Sequence, residues 1–233
     1  MREFFQAADG ILRGATHHET GENSVRVSNE NSGAARRCFG YSLLFGLIYG
    51  AAMGCFGGIG GERTLQIAFS SLKVPLLLIV TFVLALPSFF VLNTLLGVRD
   101  DFALALRALL ETQAAIAMIL VSLAPLTLLF YLSSSNYEAA VLFNFAMFVL
   151  ASFSAQNVLR RGYRVLIARH AAHRKLLWAW LVFYGFIGAQ MGWVLRPFIG
   201  APDAPIRFFR EGAWGNVYEV LAAMLWKVLA HVQ

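Results

Sequence analysis

VPLLLIVTFVLALPSFFVLNTLLGV, residues 74–98, runs without one charged side chain. As a helix rising 1.5 Å per residue it is about 37 Å long, more than the ~30 Å hydrocarbon layer of a bilayer demands. Four further charge-free windows flank it, at 38–61, 112–137, 139–159 and 176–195. The 233-residue chain is 58% hydrophobic and 14% charged, with mean hydropathy +0.63. Soluble domains carry about 25% charged residues. A water-soluble fold of this size has no room to hide so much apolar surface, so the solvent is lipid. The fold class that follows is all-α: a polytopic transmembrane bundle of five spans over residues 38–233, preceded by a cytoplasmic segment, 1–37.

The last segment, AWGNVYEVLAAMLWKVLAHVQ (213–233), is mixed. Asn216, Glu219, Ala223, Lys227 and His231 share one helical face, and Val220, Leu221, Met224, Leu225 and Val228 lie largely on the other. It reads as a sixth, amphipathic helix that either spans or lies in the interface. A charge at mid-bilayer costs ~2.5 kcal/mol or more, which sets the two readings apart.

Basic residues near span ends set orientation. RRGYRVLIARHAAHRK (160–175) holds Arg160, Arg161, Arg164, Arg169, Arg174 and Lys175 and no acid. That connector is expected in the cytoplasm, with Arg36, Arg37, Arg99 and Arg107 on the same side. SSSNYE (133–138) has no Lys or Arg and falls outside. The N-terminus is then cytoplasmic; a bacterial cytoplasmic (inner) membrane is the expected location, which the charge placement itself does not specify. Tyr131, Tyr137, Trp178 and Trp180 fit interfacial belts. The net charge of +6 and the pI near 9.7 therefore point to anionic lipid headgroups, not nucleic acid. In the N-terminal segment, Phe4, Phe5, Ala8, Ile11 and Leu12 form a short amphipathic pattern suited to the inner leaflet. THHETGENSVRVSNENSGAA (16–35) reads as a polar linker.

FGLIYGAAMGCFGG (45–58) places Gly46, Gly50, Gly54 and Gly58 at a spacing of four. Apolar side chains gain little from meeting one another in lipid, so association there depends on close packing of small residues. The stripe is a groove for another backbone, either within the bundle or in a homodimer. Gly188 and Gly192 in span five form a counterpart. Pro87 and Pro125 interrupt spans two and three and are expected to kink them; such kinks shape a bundle or open a cavity. Asn93, Asn144, Gln156 and Gln190 fit interhelical hydrogen bonds better than ligand contacts.

Arg196, in GWVLRPFIG, ends span five. Three readings stand: snorkelling outward, pairing with Glu219, or holding a lipid phosphate. Arg207 and Arg210 follow in an arginine- and phenylalanine-bearing stretch suited to the interface, so Arg196, Arg207, Arg210, Glu219 and Lys227 form a candidate lipid or polar-pair site. No cofactor or metal is expected. His170 and His173 sit among repelling cations, and His17 and His18 in the tail. Cys38 and Cys55 lie about 25 Å apart along one helix and cannot bridge each other within it. No GxSxG, phosphate-loop motif or paired membrane carboxylate occurs, and Glu111 pairs with Arg107 at i,i+4. Catalytic residues are therefore none.

LNTLLGVRDDFALALRALLETQAA (92–115) joins spans two and three. Asp100 or Asp101 is placed to cap the helix, with Phe102, Ala105, Leu106 and Leu109 leaning on the membrane. The stretch resembles the central part of the bacterial Yip-type membrane family, whose eukaryotic relatives interact with Rab-type GTPases. The resemblance covers spans two and three only, and the Arg-Pro-Phe-Ile-Gly stretch and the tail lie outside its pattern. It implies five spans, a cytoplasmic N-terminus and a membrane-organising role with protein partners, and it carries no catalytic residues over. The expected function is a non-enzymatic scaffold, adaptor or accessory subunit with a protein partner or a second copy. The alternative is a small-solute or lipid transporter or channel that uses the kinked helices two and three.

Overall fold

The computed structural model describes residues 9–11, 24–61, 63–201, 205–210 and 215–219. These are helical or irregular, with no strand among them. Five long helices follow in order: α1 (Ser24–Gly54), α2 (Arg63–Leu95), α3 (Phe102–Ser133), α4 (Tyr137–Arg169) and α5 (Ala172–Val194). A 3-10 turn, Arg99–Asp101, precedes α3. Among the described residues four stretches are long and apolar enough to cross a membrane: Arg63–Leu95, Arg99–Ser133, Tyr137–Arg169 and Ala172–Val194. Their flanks expose Leu142, Phe145, Phe153, Val182 and Phe186, surface that water would penalise and lipid accepts.

The first window behaves differently from expectation. α1 stops at Gly54 instead of reaching Gly61, because Gly57, Gly58 and Gly61 adopt positive φ of 82°, 112° and 65°, backbone that ends a helix. Its apolar part, 38–54, is about 25 Å long. At its other end α1 begins at Ser24, so the second half of the expected polar linker is helical. Ile11 is buried against Cys38, Tyr41, Ala114 and Met118, on the bundle and not on the leaflet; Phe4, Phe5, Ala8 and Leu12 lie outside the described residues.

α1 packs between α2 and α3, α4 lies on the far side of α3, and α5 lies against α2. The buried positions of α4, Ala140, Asn144, Met147, Ala151, Ala155, Val158 and Leu159, recur three and four apart. This is the spacing that seats one helix against another at a shallow angle. Small residues on α3 receive them: a Cβ at Gly162 would come within 2.8 Å of the Ala108 Cβ. One core cluster gathers Tyr49, Met53, Phe56 and Leu78 with the alanines of α3 and α4. A second gathers Phe82, Phe89, Leu109, Tyr163, Leu176 and Trp180. Trp180 is only 4% exposed and sits edge-on to Phe82 and Phe89, so it is a core residue; its neighbour Trp178 is 69% exposed, where a belt residue belongs. Ala105 and Leu109 are likewise buried in the bundle, while Phe102 packs on Phe89 and Phe90.

The glycine stripe meets α2. A Cβ at Gly50 would lie 2.4 Å from the Ser70 carbonyl oxygen, and one at Gly54 would lie 2.6 Å from the Ile67 Cα. Gly46 faces Pro75 at 3.1 Å, a proline inside α2 that the sequence reading passed over. Gly58 is not on this stripe, because the helix has ended; nothing lies within 4 Å of its Cβ position. Gly188 makes an ordinary 3.5 Å approach to Thr81 of α2, and Gly192 faces open space, so the α5 glycines do not meet the α1 stripe. Pro87 and Pro125 are both exposed, inside helices that run on through them. They therefore do not face a shared interior.

Candidate functional site

The end of the bundle away from the arginine-rich connector carries a polar notch. Gln66, Ser70 and Lys73 recur at i, i+4 and i+7 on α2, so one helical face presents all three; each is buried. α5 ends at Val194, and its continuation folds into the notch. Pro197, lacking an N–H, cannot extend the helix, and the carbonyls that follow turn toward α2. The Lys73 ammonium donates to the Pro197 carbonyl and the Ser70 hydroxyl to the Phe198 carbonyl. Gln66 Nε2 donates to Ser70 Oγ at 3.0 Å and to the Phe198 carbonyl at 3.4 Å. From α4, Tyr137 donates to the Ile199 carbonyl at 3.3 Å. Gly200 rests on Gln66, whose Cδ and Cγ a Cβ there would meet at 2.9 Å.

This arrangement supplies donors to carbonyls that have left a helix, which is what an irregular backbone near a membrane needs. Phe208 covers the site. Its ring lies 4.9 Å from Lys73 Nζ and edge-on to Phe69 at 5.2 Å. The Arg210 N–H donates to the Arg196 carbonyl at 3.1 Å, which returns the chain to where it entered. The Arg196 guanidinium stacks over the Trp193 indole, 3.2 Å from its centroid, and its Nε donates to the Trp193 carbonyl at 3.2 Å.

Arg196 and Arg210 of the sequence-derived site are therefore brought together, and Arg207 lies on the same exposed segment. Glu219 is placed elsewhere. Asn216 sits at the start of a helical turn, accepting from the Tyr218 N–H at 3.0 Å and donating to Glu219 Oε1 at 3.5 Å. The carboxylate thus belongs to a helix start and not to Arg196. Gly215 and Val217 bond to Gln190, and Tyr218 stacks on Phe186 at 4.2 Å, so this short stretch runs back along α5. Lys227 lies outside the described residues.

Sequence reading missed Gln66, Ser70 and Lys73, because Lys73 served only as the charge bounding a window. The available signal was three polar residues on one face of an otherwise apolar stretch.

The opposite end has its own polar knot. Asp101 accepts from Arg169 Nη1 at 3.1 Å and faces Nε2 of the fully buried His173 at 3.1 Å. Its side chain makes no capping bond to α3, so the expected cap is instead a tie between the α2–α3 connector and the α4–α5 turn. Arg107 and Glu111 pair at 3.1 Å. Among the described residues no group of three His, Cys, Asp or Glu is placed to hold a metal ion. No known protein family, curated protein or solved structure matches the chain.

Proposed function

We propose that this chain is a five-span integral protein of the bacterial cytoplasmic membrane, acting as a non-enzymatic scaffold, adaptor or accessory subunit. In this reading α1 is the fifth span, its short apolar part completed by the glycine turn, and the N-terminus and arginine-rich connector lie in the cytosol. The stretch from Gly215 to Glu219 lies along α5, and the amphipathic segment 213–233 either spans or lies in the interface. One observation carries the functional reading: the two amides Asn144 and Gln113 spend both their ends on the bundle itself. Asn144 donates to Tyr131 at 2.6 Å and accepts from Tyr49 at 3.3 Å. Gln113 donates to the Leu78 carbonyl at 2.7 Å and accepts from Tyr184 at 2.8 Å. Asn93 donates to the Phe89 carbonyl at 2.8 Å. A transport path needs such groups turned toward its cargo. The likeness of 92–115 to Yip-type proteins points the same way.

The transporter reading keeps one supporting observation, the buried Lys73 in α2. Purification of the full chain in mild detergent, followed by mass spectrometry, separates the two. A scaffold or subunit is expected to bring down a partner in fixed stoichiometry and to leave proteoliposomes as tight as protein-free ones. Recovery of the chain alone, together with solute flux, would overturn the proposal.

A further inference from the structure

We propose that Arg196 and Arg210 form a binding site for a phosphate group at the end of the bundle opposite the arginine-rich connector. Two guanidiniums converge there, close enough for each to feel the other's charge, with a buried ammonium behind the same segment. The ammonium is that of Lys73, fully buried, with the Pro197 carbonyl and the Phe208 ring as its neighbours. The backbone bond from Arg210 to Arg196 holds the two arginines side by side. Both guanidiniums lie close enough to the Tyr137 hydroxyl to act on it electrostatically. Among the described residues no carboxylate pairs with any of the three; the ion pairs Arg107–Glu111, Arg169–Asp101 and His173–Asp101 lie at the other end of the bundle. Burial first, then the charge of Arg210, push the Arg196 guanidinium below its ordinary value, with Tyr137 acting in the opposite sense.

Holding like charges together in a partly desolvated place is costly without an anion. Paired guanidiniums match the oxygens of a phosphate with forked donors, which a lone ammonium does not provide. The stacking of Arg196 on Trp193 orders one fork in advance, and the Phe208 ring, edge-on to Phe209, lies against Lys73. The ligand class is therefore a phosphate mono- or diester, from a lipid headgroup or as the free ion.

The test uses the full chain purified in mild detergent. Phosphatidylglycerol or phosphatidylcholine is added, and native mass spectrometry reads how much lipid is retained. Both carry a phosphodiester, but the choline cation of the second offsets its charge and would meet the two guanidiniums, so phosphatidylglycerol is expected to be held preferentially. Arg196→Gln with Arg210→Gln is expected to hold it about tenfold less, whereas Arg160→Gln with Arg164→Gln, an equal loss of charge among the exposed cations of the connector, is expected to lower retention by no more than about twofold. Excess inorganic phosphate identifies the source. If it fails to displace the lipid, the headgroup is the ligand; if it displaces the lipid and itself raises the melting temperature, the free ion is the ligand. Both results uphold the site. Equal retention of the two lipids with no effect of inorganic phosphate would overturn it, as would undiminished retention in the Gln pair. A gain of retention in Asp203→Asn or Glu211→Gln would also overturn it, because a carboxylate of the chain would then be the occupant. If the Gln pair does not fold, Arg196→Lys with Arg210→Lys decides: it keeps both charges, loses the forks and is expected to bind severalfold less, and unchanged binding there removes the site.

Discussion

Asp101 joins two connectors that the chain order separates. Its carboxylate meets Arg169 and the buried His173. The Arg169 side is half exposed, and such pairs contribute little. The His173 side matters more, because Nδ1 of that ring already lacks a partner. Asp101→Ala strands Nε2 as well and is expected to cost ~1–3 kcal/mol, read as an earlier midpoint in an SDS titration of the folded protein. Asp100→Ala, at an exposed neighbouring position, is expected to stay within ~0.5 kcal/mol. If the two variants behave alike, the tie carries no weight. At the other end, Ser70→Ala combined with Lys73→Met removes two donors from the Pro197 and Phe198 carbonyls. The helices are expected to stay folded while trypsin cuts at Arg207 and Arg210 roughly ten- to thirtyfold faster, as two bonds of about 1 kcal/mol each imply.

At the scale of elements, the glycine stripe ties α1 to α2. Gly50 tolerates no side chain, because its neighbours at 2.4 and 2.7 Å are backbone atoms of Ser70 and Ser71. Gly50→Leu is expected to destabilise by ~3 kcal/mol or more and to lower the yield of monodisperse protein. Gly40→Leu, which meets nothing within 4 Å, is expected to be tolerated. Gly188→Ala makes only ordinary contact and is expected to be neutral or stabilising by ~0.5–1 kcal/mol, since alanine is the better helix former. A Gly50→Leu protein as stable as Gly40→Leu would mean that α1 does not pack on α2 here. The stripe itself was legible in the sequence, because small residues at a spacing of four have one physical use in lipid. Its partner was not, because the residues opposite, Ile67 to Pro75, include the polar part of α2 that a search for apolar windows discards.

For the whole molecule, the apolar windows located the bundle because lipid requires long charge-free helices. They misjudged the helix ends, since α2 starts at Arg63 and α4 runs on to Arg169. Beyond the hydrocarbon layer a helix continues on backbone hydrogen bonds and is no longer marked by hydropathy. The Arg107–Glu111 pair was legible, being one helical turn apart. The notch was not: its bonds from α2 to the Pro197 and Phe198 carbonyls join positions 124 to 132 residues apart, and neither partner carries a local signature of the other. The burial of Trp180 had the same cause, partners on α2 with two whole helices between them in the chain.

The central claim is that the bundle crosses lipid, with the arginine-rich connector at one face and the glycine turn and the α3–α4 turn at the other. Single cysteines at Ser135, Gly58 and Ala171, in a chain carrying Cys38→Ser and Cys55→Ser, test it through a membrane-impermeant maleimide applied to intact cells. The account predicts that Ser135→Cys and Gly58→Cys are labelled at once and Ala171→Cys only after the membrane is opened. Labelling of Ala171→Cys in intact cells, or of all three positions alike, would contradict it.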